Sequence, residues 1–172
     1  MKLPTGSINQ VSSDGVQAVD PGLQLGTGTT DLILGLFYFD ALSDRVDYFA
    51  QINYQHALNY SQIATGTTGS MAYQSYRPGD GYNVTIGFRY VGFESFTPTL
   101  QVNARRVNTD SGDAADLYAT GGTLVYLTPG AMIPLSDNTL LYASLQVPVY
   151  QNVNGIQLTP SYIASVGVRY KF

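Results

Sequence analysis

Ser161-Tyr162-Ile163-Ala164-Ser165-Val166-Gly167-Val168-Arg169-Tyr170-Lys171-Phe172 is the stretch from which the rest of the chain reads. Tyr162, Ala164, Val166, Val168, Tyr170 and Phe172 fall on one face, and Ser161, Ser165, Gly167, Arg169 and Lys171 on the other, with Ile163 the one interruption. A period of two over this length predicts a strand with one apolar face. Two aromatics in register at its end suit a strand whose apolar face lies in lipid. An edge strand of a soluble sandwich would alternate in the same way.

Working back from that strand, the same pattern recurs. Val46–Asn59 sets Val46, Tyr48, Ala50, Ile52, Tyr54 and Leu58 against Asp47, Gln51, Asn53, Gln55 and Asn59. Tyr82–Phe93 alternates most cleanly, with Tyr82, Val84, Ile86, Phe88 and Tyr90 opposing Asn83, Thr85, Gly87 and Arg89. Phe96–Asn108 and Thr139–Gln151 follow suit; Pro98 is expected near its strand's beginning or at a bulge, because it removes a ladder donor. Asp31–Leu42 and Tyr118–Leu135 also read as strands, but their facing is undetermined. Ile33, Phe37 and Phe39 make both faces of the former apolar, and Gly121-Gly122 and Pro129-Gly130 are expected to shift the register of the latter.

The connections alternate in length. They are long at 5–30 and 60–81, medium at 109–117 and 152–159, and short at 42–45, 92–95 and 136–138. The short ones all fall on the side of Phe172. A sandwich has no reason to segregate its loops, whereas bacterial membrane barrels join short periplasmic turns with longer extracellular loops. The fold expected is therefore all-β: a transmembrane antiparallel up-and-down barrel of about seven to eight strands, forming one domain. Residues 1–30 supply a strand end and a long loop, and 31–172 the barrel strands.

Composition fits that reading. Of 172 residues, 12% are charged and 44% hydrophobic, while mean hydropathy is −0.01, so apolar residues are interleaved with uncharged polar ones. Fourteen Tyr and eighteen Gly suit short strands, tight turns and membrane interfaces. The longest apolar run, Leu32–Phe39, is too short for a membrane helix. With no Cys, no disulfide can form. A net charge of −4 without a Lys/Arg cluster argues against nucleic acid. The opening Met1-Lys2-Leu3-Pro4-Thr5-Gly6 lacks the apolar segment of a signal peptide. Barrels of this kind have even strand numbers, so a partner strand ending near Leu3 is expected. Either residues 8–28 fold back to provide it or the natural gene continues upstream of Met1; the second is preferred, because Pro21 would interrupt a ladder and Gly22–Gly28 has no apolar face.

Candidate chemistry is sparse. His56 is the only histidine and continues the Tyr54/Leu58 face, which suits an interfacial aromatic girdle better than a catalytic dyad. Asp110, Asp113 and Asp116 lack the spacing of a calcium loop, and the Gly-Thr repeats at 26–30 and 65–69 lack a phosphate-loop lysine. No catalytic residue, metal or cofactor is therefore assigned. The candidate site is the set expected to point inward: Asp47, Gln51, Asn53, Asn83, Thr85, Arg89, Gln101, Asn103, Arg105, Tyr142, Ser144, Gln146, Arg169 and Lys171. Such residues either line water or form a network that fills a narrow interior.

Two resemblances bear on identity. Ser165, Gly167, Tyr170 and Phe172 match a polar, Gly, aromatic, aromatic spacing similar to the C-terminal assembly signal of bacterial outer-membrane barrels. Further phrases occur in order along the chain: Lys2-Leu3-Pro4-Thr5-Gly6; Gln24-Leu25-Gly26-Thr27-Gly28 followed by Asp31 and Gly35; Tyr76-Arg77-Pro78-Gly79-Asp80; and Gln146-Val147-Pro148-Val149-Tyr150-Gln151 with Gly155-Ile156-Gln157-Leu158. Together they resemble the C-terminal portion of the transporter-like outer-membrane barrels associated with the meta pathway of phenol degradation. That resemblance implies a Gram-negative outer-membrane channel or transporter for small aromatic or hydrophobic molecules. Its implied partners are outer-membrane lipid and the barrel-assembly machinery. An anchor barrel with a plugged interior and, more distantly, a lipid-modifying barrel enzyme are the alternatives.

Overall fold

The computed structural model describes all residues, Met1–Phe172, and is all-β apart from a single turn of 3-10 helix at Pro21–Leu23. The strands are β1 (Asp31–Ser43), β2 (Val46–Ala57), β3 (Ser61–Thr65), β4 (Ala72–Tyr76), β5 (Gly81–Tyr90), β6 (Thr97–Val107), β7 (Gly122–Ser136), β8 (Thr139–Val153) and β9 (Ile163–Tyr170). Seven form one antiparallel meander in the order β1-β2-β5-β6-β7-β8-β9, and β3 and β4 form a separate hairpin. No helix is long and apolar enough to cross a membrane.

Cross-strand partners fix the facing. Leu36, Ile52, Val84, Ala104 and Val125 stand opposite one another in turn across β1, β2, β5, β6 and β7. Ala131, Ala143 and Val166 continue this face on β7, β8 and β9. The facing of β1 and β7, undetermined from sequence, is thereby settled: Leu32, Leu34, Leu36 and Tyr38 share the face of Val125, Leu127, Pro129 and Ala131. Gly121-Gly122 and Pro129-Gly130 do not shift the ladder as expected. The β7–β8 shifts fall between Val125 and Tyr126, where Pro148 opposes Tyr126 without an N–H to give, and between Pro134 and Ser136 beside the turn. β7 also begins later than expected, because the Asp116 carboxylate accepts the Tyr118 and Ala119 N–H groups and holds that segment as a turn.

The opposite face is concave. A cavity of about 290 Å³ is lined by side chains from β1, β2, β5, β6, β7 and β8. In a flat sheet β1 and β8 would lie about 24 Å apart, several times the width of such a cavity. The sheet is therefore rolled into a trough with β1–β2 facing β7–β8. It is not a closed barrel, since β1 and β9 occupy its two ends and do not pair. They run in the same direction, so a single strand antiparallel to both would satisfy both edges. Lys2 bridges Asp31 on this free side of β1 through reciprocal backbone bonds of 2.9 and 3.0 Å. Residues 8–28 add no strand to the sheet.

All the tight turns lie at one end of the trough, where the Lys171 N–H also donates to the Asn138 carbonyl at 2.9 Å. The long connections occupy the other end, and most of the tight packing is there. The 60–81 segment, expected to be a plain loop, contains the β3–β4 hairpin, in which Ile63 is fully buried. The N-terminal segment is tied to it: Asn9 Oδ1 accepts the Ala64 N–H at 2.7 Å and the Ala18 N–H donates to the Gly66 carbonyl at 2.9 Å. Only ten of 172 residues are buried, so the sheet itself has almost no interior of its own.

Candidate functional site

The concave face gathers most of the residues expected to point inward. Asp47, Gln51 and Asn53 of β2 pair with Arg89, Thr85 and Asn83 of β5; Asn83 and Thr85 pair in turn with Arg105 and Asn103 of β6, and Gly87 with Gln101. Tyr142, Ser144 and Gln146 of β8 oppose Gly167, Ser165 and Ile163 of β9, and Arg169 lies on the Gly167 face. Lys171 keeps that parity but stands beyond β9.

These side chains form separate groups rather than one constellation. Thr85 donates to Asn103 Oδ1 at 2.9 Å, and Asn103 Nδ2 donates to the buried Thr128 hydroxyl at 2.7 Å, a polar chain across β5, β6 and β7. Arg89 Nη2 donates to Asp47 Oδ2 at 2.7 Å while its guanidinium lies 4.7 Å from the Phe39 ring centre. Its Nε is buried and has no partner. An unsatisfied buried donor costs about 1–3 kcal/mol, so this is a poor arrangement for stability alone.

Around Arg89 the face changes character. Phe37, Phe39 and Phe49 on one wall and Met132, Tyr142 and Ser144 on the other line the 290 Å³ cavity, with Thr99 and Gln101 of β6 between them. Sequence reasoning missed this apolar half, because β1 is apolar on both faces and only the pairing of Phe39 with Phe49 reveals which side its phenylalanines share. Two glycines make room for it. A Cβ on Gly87 would strike the Phe49 ring, and one on Gly167 the Tyr142 ring, so each aromatic lies over a bare backbone on the next strand.

At the loop end a wider cleft of about 760 Å³ brings Arg105 together with Asp20, Asp110 and Asp116. The carboxylates there have their own partners. Asp110 accepts from the Tyr76 hydroxyl and the Gly79 N–H, both at 2.8 Å, Asp116 from the Tyr118 and Ala119 N–H groups, and Asp20 from the Gly22 N–H at 2.8 Å. Burial, followed by the Asp110 charge and hydrogen bond, pushes the Tyr76 phenol well above its ordinary pKa.

His56 lies on the convex face beside Tyr54, the rings stacked at 6.1 Å. Its Nδ1 is 2.8 Å from Asp80 Oδ1, and the Tyr54 hydroxyl donates to Asp80 Oδ2 at 2.9 Å. Asp80, a partner that sequence spacing did not suggest, engages both side chains from the connection before β5. Tyr170 and Phe172, the aromatic pair of the C-terminal pattern, meet edge to face at 5.2 Å. No protein-family model matches the sequence, and no curated protein matches it either.

Proposed function

We propose that this chain forms the wall of a Gram-negative outer-membrane β-barrel that passes small aromatic or hydrophobic molecules as a passive channel. The observation that carries the reading is the convex face. Leu36 is 70% exposed, Ile52 49%, Ile86 48%, Val102 45% and Val166 75%, a continuous apolar band around the trough. Seven strands at about 4.8 Å spacing give such a band roughly 30 Å of arc, far beyond the patches soluble monomers tolerate, and lipid is the solvent in which it costs nothing. The polar concave face then lines the passage. The loop asymmetry, the C-terminal pattern and the resemblance to the phenol meta-pathway barrels support the same reading. Closure calls for a strand between β9 and β1, on the edge where Lys2 already bridges Asp31.

A plugged anchor barrel is the second reading. It is favoured by the Thr85–Asn103–Thr128 chain, which lies within the trough, and by the β3–β4 hairpin at the loop end. Planar-bilayer recording separates the two: stepwise single-channel conductance is the expected outcome, and a protein that inserts yet stays silent would be an anchor. Lipid turnover lost in His56→Ala would instead point to an enzyme.

A further inference from the structure

We propose that the cavity between the Phe37/Phe39/Phe49 wall and Met132 and Tyr142 binds a small neutral aromatic molecule carrying one hydrogen-bond acceptor, which takes a hydrogen from the edge of the Arg89 guanidinium that Asp47 leaves free. The physiological use of such a site, selecting what enters the passage, rests on the channel reading; the binding itself does not. Four features specify the ligand. An apolar cavity of about 150 Å³ already accommodates benzene, and this one, at about 290 Å³, has room for a ring with a short substituent. Phenylalanine faces on one side and a thioether on the other favour a flat, polarisable guest. Arg89 offers donors that the protein does not use, since only its Nη2 is bonded, to Asp47, while Nη1 is neither bonded nor buried, so the guest needs an acceptor. Arg89 and Asp47 are already a neutral pair at 2.7 Å, so an anionic guest would bring an uncompensated charge into a site walled by aromatics.

Met132 provides the readout. In the full chain refolded in micelles and labelled at the methionine methyls, its resonance is assigned as the one lost in Met132→Leu, and Met71, in the β3–β4 turn, reports non-specific partitioning. Acetophenone is expected to shift the Met132 methyl saturably while Met71 stays still. Against free ligand concentration it should bind about tenfold tighter than ethylbenzene, the lower end for one hydrogen bond from a charged donor, and benzoate should not bind. Arg89→Lys, which keeps a cation for Asp47 but removes the planar fork, should abolish the preference for acetophenone over ethylbenzene. An unmoved Met132 methyl, or equal binding of the two neutral ligands to the unaltered chain, overturns the proposal without needing any variant to fold. Conductance without a Met132 response would remove this site and leave the channel; a Met132 response in a non-conducting protein would do the reverse.

Discussion

Asp80 joins two strands through one carboxylate. Burial alone would raise its pKa, but the hydrogen bonds from His56 and Tyr54 and the charges of His56 and Arg77 outweigh it and hold the group below the usual carboxylate value. A depressed folded pKa contributes stability that is whole above the unfolded value of about 3.9 and is lost as pH falls through the folded one. Asp80→Asn should therefore cost about 1 kcal/mol at neutral pH, since the site is partly exposed, and the difference from the unaltered chain should vanish as denaturation is measured in increasingly acid solution. At Gly167 the relevant property is space rather than charge. Gly167→Val would drive a side chain into the Tyr142 ring, and about 1–3 kcal/mol of destabilisation should appear as a lower temperature for losing the heat-modifiable gel band. The glycine was legible as part of a spacing; Tyr142 as its reason was not, because only the register places the two residues side by side.

Among the elements, β1 carries the sharpest test. The Asp31 N–H donates to Lys2, away from β2, so alternate residues Ile33, Gly35 and Phe37 present their N–H groups to the free edge. Unpaired backbone groups at an edge recruit further strands, in water or lipid. The chain refolded in detergent is expected to associate through β1 and β9, and Ile33→Pro should raise the monomer fraction in native mass spectrometry while leaving the β1–β2 ladder intact. Unchanged association would show that this edge is not the contact. The β3–β4 hairpin was hidden in a segment read as loop, although Gln62-Ile63-Ala64-Thr65 and Tyr73 to Tyr76 flank Gly66 and Gly69 as a hairpin should. Five-residue strands among Ser, Thr and Gly give too short a period to stand out, and Ile63 counts as core only once the N-terminal segment lies against it.

For the whole molecule, the lipid reading predicts a contrast between adjacent residues. Val102 is on the convex band and Gln101 on the concave face of the same strand. Val102→Arg should lower folding stability in bilayers by about 2–4 kcal/mol if it sits near the midplane, whereas Gln101→Arg should be tolerated and shift ion selectivity. Equal tolerance of both in lipid refolding titrations would remove the membrane assignment. Such pairs exist because a strand turns successive side chains to opposite sides, and a rolled sheet gives those sides different solvents.

The amino-acid sequence by itself determined the strand-and-turn order of the meander, the end on which its tight turns gather and the polar set from Asp47 to Arg169, because each depends on local period and local turn chemistry. Tertiary structure decided what depends on partners distant along the chain: which way β1 faces, where the ladder slips at Pro148, how Asp80 engages His56, and why three phenylalanines turn inward to meet Met132 and Tyr142 across the trough. A period of two says that a strand has two faces; only pairing and curvature say which of them is inside.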